Sequence, residues 1–140
     1  MAVLTRDIDL VRTVSAKSSD LIKIVAGETI ATGQAFRIDS SDNLAYLSDA
    51  GAGDATSSDF TGYSLGNATV GQNVAAQIGG DIYLGVAAVE GMFYFVSDTP
   101  GETEDCSVQA AGNAGQLIGY GNADGSITMK PVKSGGVIPT

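Results

Sequence analysis

The residues that could do chemistry are few, and the missing types narrow the field most. The 140-residue chain has no histidine and a single cysteine, Cys106. A Ser-His-Asp or Cys-His nucleophile and a histidine-based zinc site are therefore excluded. Cys106 follows Glu104 and Asp105. Neighbouring carboxylates disfavour a thiolate, so Cys106 reads as an inert small side chain, and one cysteine makes neither an intrachain disulfide nor a thiolate metal site. Two groups of loop oxygens, Asp39, Asp42 and Asn43 and then Asp49, Asp54 and Asp59, are of the kind that Ca2+ takes. Their spacing departs from that of a helix-loop-helix calcium site. They lie among Ser and Gly, where burial does not tune a carboxyl for acid–base work. Gly119-Tyr120-Gly121-Asn122-Ala123-Asp124 starts like a dinucleotide fingerprint, but it ends on Asp and no helical pattern follows. Asn67-Ala68-Thr69 fits a glycosylation acceptor, which without a signal segment is read as accidental. The chain is expected not to be an enzyme, with no catalytic residue, no cofactor and no metal.

Charge narrows the partners. Sixteen Asp plus Glu against seven Lys plus Arg give a net charge of −9. Such a balance repels nucleic-acid phosphates and anionic headgroups, and no basic cluster of the nucleic-acid-binding kind is visible. No run of apolar residues is long enough to span a bilayer. The N-terminal stretch carries Arg6, Asp7, Asp9 and Arg12 in place of an apolar signal core. Neither nucleic acid nor membrane is expected as a partner, and a cytosol-like site of synthesis is expected.

The elements that must position any site are strands. Nineteen glycines punctuate the chain, which favours many turns and short strands over long helices. Leu21–Val25, Ala35–Asp39, Leu44–Leu47, Phe60–Leu65, Gln72–Ile78, Asp81–Val86, Met92–Val96, Gln116–Tyr120 and Ser126–Val132 all carry β-type patterns. A weaker strand is expected at Ser107–Ala110. Asp124-Gly125 predicts a two-residue hairpin turn. Nineteen residues, Gly62 to Gly80, have an echo at Gly119 to Gly136. Both start on Gly-Tyr, pass through Gly-Asn-Ala and end on Gly-Gly. An offset of fifty-seven also sets Phe36 on Phe93 and Ile38 on Phe95. The expected organisation is one β domain over residues 20–140, built from two repeats, about 24–80 and 81–136. Packed on each other, these would make a small sandwich or barrel.

Residues 1–19 stand apart as an N-terminal arm or edge strand. Leu4, Ile8, Leu10 and Val14 alternate with polar residues, and Val11 breaks the pattern. An unpaired edge can add to a neighbour's sheet, so Val3, Leu4, Ile8, Leu10 and Val14 are the candidate contact residues. An intramolecular first strand accounts for the same pattern.

The segments 26–39 (Ala-Gly-Glu-Thr-Ile-Ala-Thr-Gly-Gln-Ala-Phe-Arg-Ile-Asp), 61–80 and 117–132 together resemble the capsid decoration, or cement, proteins of tailed bacteriophages. The resemblance is one of pattern, covers residues 20–133, and omits residues 1–19 and the loop around Gly53. It implies an all-β fold, a compact β-barrel or β-tulip-like domain with an extended N-terminal arm, assembled as a homotrimer. It implies the major capsid protein as partner. The location would be the outer surface of the virion, after synthesis in the host cytoplasm. The function would be to clamp neighbouring capsid subunits against the outward pressure of packaged DNA. The alternative is a head-fibre or tail-associated module recognising a host surface glycan.

Overall fold

The computed structural model describes residues 3–4, 6–7, 9–49, 59–97, 99–105 and 116–132. It is all-β, with two antiparallel sheets and, among the described residues, one 3-10 turn at Ser18–Asp20. The strands are β1 (Val3–Leu4), β2 (Val11–Ser15), β3 (Leu21–Val25), β4 (Ala35–Ile38), β5 (Ala45–Leu47), β6 (Gly62–Ser64), β7 (Asn73–Gln77), β8 (Gly80–Leu84), β9 (Phe93–Val96), β10 (Thr103–Asp105), β11 (Leu117–Gly121) and β12 (Ile127–Val132). The Ser107–Ala110 strand expected from the sequence lies outside the described residues, as does Cys106.

The smaller sheet runs β3-β7-β6-β4-β5, and the larger runs β1-β10-β9-β11-β12-β8-β2. Removing β1 and β2 and reading the larger sheet from its β8 end gives β8-β12-β11-β9-β10. This is the order of the smaller sheet, strand for strand. The match extends to single hydrogen bonds. Gln34 N donates to Ala31 O, and Met92 N donates to Val89 O. Gly33 and Gly91 sit third in these turns at φ 81° and 79°, the position where a type II turn needs positive φ. Gly33 N then reaches Ser64 O as Gly91 N reaches Gly121 O.

The matched pairs correct the offset. Phe36 lies opposite Gly62, and Tyr94 lies opposite Gly119. The counterpart of Phe36 is therefore Tyr94, not Phe93. Side chains alternate between faces, so a shift of one residue exchanges inside for outside. Phe36 and Tyr94 are both fully buried, whereas Phe93 is 52% exposed. Gly62 and Gly119 share one role: a Cβ on either would run into the backbone carbonyl of the next strand, Gln77 O or Thr128 O. The turn at Asp124-Gly125 also differs from expectation. Gly125 N donates to Asn122 O and Asn122 N to Ser126 O. Positive φ falls on Gly125 alone, so the loop has three residues rather than two.

Each sheet curls over its own apolar cluster. Ile24, Ile30, Phe36, Ala45, Val74 and Ala76 fill the smaller one. There Ala26, just past β3, bridges Ala45 on β5, joining the two edges at one end. In the larger sheet, Leu4 pairs with Thr103 on β10, while Asp7 N donates to Leu84 O on β8. Five strand spacings separate β1 from β8 in the sheet order, about 24 Å if flat. Three residues span at most about 11 Å, so this sheet is strongly curved. Tyr94, Val96, Ile82, Leu84, Ile118, Ile127 and Met129 line its concave side.

The halves stack head to tail. The face of the smaller sheet turned away from its own cluster, with Ala35 and Tyr63, packs into the concave side of the larger one. The Tyr63 and Thr103 hydroxyls are hydrogen-bonded across the join at 2.6 Å. Thr13 Oγ1 donates to Gln77 Oε1, and the Gln77 amide donates to Gly79 O and Asp81 O. Gln77 is thus buried with its hydrogen bonds made, as a buried amide must be.

Candidate functional site

Asp39 and Asp42, two of the carboxylates singled out from the sequence, are engaged in a local turn. Asp39 Oδ1 accepts from the Ser41 N–H and hydroxyl, and these bonds, the backbone one first, hold its carboxyl below the usual range. Asp42 accepts from Leu44 N and from the Tyr46 hydroxyl, and the second bond raises the Tyr46 pKa. Asp49 and Asp59 come later in the chain, and Asp54 lies outside the described residues. Among the described residues, no three His, Cys, Asp or Glu side chains come together as a metal site would need. An open cleft of about 290 Å³ lies between Ile30 and Ala68, rimmed by Asn67 and Gln72. Asn67 Oδ1 already accepts from Thr32, and Gln72 Oε1 from Thr69 N. No titratable side chain lines the cleft, so it offers no acid or base.

The feature that stands out is an edge. β2, the 3-10 turn and β3 form one outer strand, and β7 and β8 form its partner. Val11 pairs with Leu84 and Ser15 with Asp81; Ile78 N donates to Asp20 O; Leu21 pairs with Gln77 and Val25 with Asn73. The result is one antiparallel ribbon that passes from the larger sheet into the smaller. Among the described strands, β2 and β3 are the edges of their sheets, each paired with a neighbour on one side. Of the five β2 side chains, four are exposed. Asp20 holds the bend by accepting from Lys17 N, while Gly79 leaves room beside its carboxylate.

This edge carries exposed apolar groups: Leu10 is 52% exposed, Val14 39% and Leu21 45%. It also concentrates positive charge. Residues 11–25 hold Arg12, Lys17 and Lys23 against Asp20, a net +2, which leaves −11 for the rest of a chain whose total is −9. Arg12 lies over the Tyr83 ring at 4.5 Å, a cation–π contact, and its field reaches Asp124. Lys130 adds a fourth cation nearby. It follows Met129, which pairs with Gly80 beside the bend.

The five residues expected to make contacts do not fall together. Leu10 and Val14 belong to this edge. Val3 and Leu4 pair with Glu104 and Thr103 at the opposite end of the sheet order, and Ile8 lies outside the described residues. Between β1 and β2, Arg6 bonds Thr32 O in the first half and forms an ion pair with Glu102 in the second. Lys17, Leu21 and Lys23 lie on this edge as well and are not among the five residues expected from the sequence. The signal was present in the alternation from Leu21 to Val25, but the ribbon that joins it to β2 depends on Gln77 and Leu84, far along the chain.

Searches against protein-family models, curated proteins and solved structures found no match to this chain.

Proposed function

We propose that this chain is a structural virion protein. It binds the outer surface of a tailed-phage capsid and clamps neighbouring major capsid subunits against internal DNA pressure. It acts as a homotrimer of compact, barrel- or tulip-like domains. The observation that carries the reading is the ribbon edge, which is a sheet edge among the described strands and presents exposed Leu10, Val14 and Leu21 to a neighbour's sheet. The acidic remainder suits a protein held outside the shell, away from the genome. Three linked copies would turn weak single contacts into firm attachment through effective concentration.

Mixing the protein with undecorated heads and sedimenting them tests the reading. Stoichiometric co-pelleting is expected, together with a trimer by light scattering. A stable monomer that stays in the supernatant at every salt concentration would sink it.

One observation favours a second reading, a head-fibre or tail-associated module for a host glycan. Phe93 is 52% exposed and pairs with Tyr120 on the outer face of the larger sheet, and sugar rings stack on such aromatics. That reading expects host-cell polysaccharide to bind the wild type and not Phe93→Ser.

A further inference from the structure

We propose that the ribbon edge, residues 11–25, docks against an acidic protein surface, with Lys17, Lys23 and Arg12 setting the orientation. This rests on the capsid reading and names the chemistry of the surface recognised. Three observations converge on it. The edge is net +2 on a molecule that is otherwise −11, so it is a positively charged strip on an acidic body. The lysines are exposed and have no ion pair among the described residues. Their charges flank the apolar groups Val14 and Leu21 and so surround the surface that would lose water on docking.

A partner of the same sign can be ruled against. If two copies paired through this edge about a two-fold axis, each would set its cations against the other's, and like charges opposite one another disfavour pairing. Phosphate-rich partners are also disfavoured, because the body repels a polyanion as it wraps. An acidic protein surface of limited extent meets the strip without meeting the body. Approach is then steered, because an acidic surface repels every other orientation of the molecule. The exposed Phe93 face is the competing contact surface, and nothing about its charge selects a partner.

The test uses the full chain and undecorated heads at about 50 mM and about 500 mM salt, which bracket strong and weak screening. Wild-type affinity should fall at least about tenfold between the two. Lys17→Glu/Lys23→Glu should lose about tenfold at low salt and lose most of the salt dependence, and Lys17→Arg/Lys23→Arg should restore both. Circular dichroism checks that the variants keep their sheet. Carbodiimide treatment of the bound heads should form amides, with loss of water, between the Lys17 or Lys23 amine and shell Asp or Glu carboxyls. Retained, salt-insensitive binding by the charge-reversed variant would overturn the inference and leave the capsid reading standing. So would loss of binding in Phe93→Ser with no loss in the lysine variant. A wild type that pellets with duplex DNA and not with heads would overturn both. Failure of the wild type to pellet at any salt would remove the capsid reading and the inference with it.

Discussion

Strands β3–β7 and strands β8–β12 follow one order, share their type II turns and place a glycine at the same close approach. They differ in what covers their outer faces. In the first half, Ala35, Tyr63 and Gln77 point outward from their own cluster and are buried by the second half. In the second half, the matching positions Phe93, Tyr120 and Thr128 are exposed or half-buried. The same backbone plan therefore gives one layer that works as interior and one that works as surface. What separates them is stacking order, not strand geometry. The ribbon edge is a strip that both halves share.

The largest effects should fall on the paired core aromatics. Phe36→Ala and Tyr94→Ala should each cost about 3–5 kcal/mol in urea unfolding, the usual cost of emptying a buried aromatic site. Phe93→Ala should stay within about 0.5 kcal/mol, as surface changes do. A large loss at Phe93 with little at Tyr94 would break the register that equates the two halves. Next come Gly62→Ala and Gly119→Ala. Each drives a methyl group into a neighbouring carbonyl and should cost about 2–3 kcal/mol, by similar amounts if the halves are equivalent.

Tyr63→Phe is expected to cost about 1–2 kcal/mol because it strands the buried Thr103 hydroxyl. Tyr120→Phe, on the uncovered face, should be near neutral. A thermal-melt comparison of the two variants sharpens the contrast between covered and open layers.

The smallest effect is on acid stability. Asp39 in the first half and Asp124 in the second are both held below the usual carboxylate range. Ser41 holds Asp39, mainly through its N–H, and Ser126 holds Asp124, mainly through its hydroxyl. A carboxyl depressed in the folded state stabilises the fold above its unfolded value, about 3.9. That contribution is lost as pH falls through the lower folded value. Asp39→Asn and Asp124→Asn should each flatten the melting profile below about pH 4, and an unchanged acid limb would contradict the assignment.

Much of the local architecture was legible in the sequence. Leu21–Val25, Ala35–Ile38 and the Gly-Tyr pairs announce strands because alternation and turn glycines are short-range signals. The exact register of the repeat was not. Met92-Phe93-Tyr94-Phe95-Val96 is apolar at every position, so nothing local says which side chains face inward. Phe93 and Tyr94 are told apart only by their partners on β11. The turn at Asp124-Gly125 took three residues because Asn122 closes it with Ser126. The residues of the candidate edge were half legible. Val14 shows in the first stretch, but Leu4 pairs at the opposite end of the sheet order. Leu21 and Lys23 join Val14 only through a ribbon whose other strand begins some sixty residues later.

The ribbon also has a mechanical consequence. Pulled along residues 11–25, its ladders with β7 and β8 would be loaded in shear, with many hydrogen bonds sharing the force at once. Pulled from the N-terminus across the sheet, β1 would peel first, at Val3 and then Leu4, one bond at a time. A neighbour gripping the edge lengthwise would thus hold the protein along its strong axis, while a tug on the tail would find its weak one.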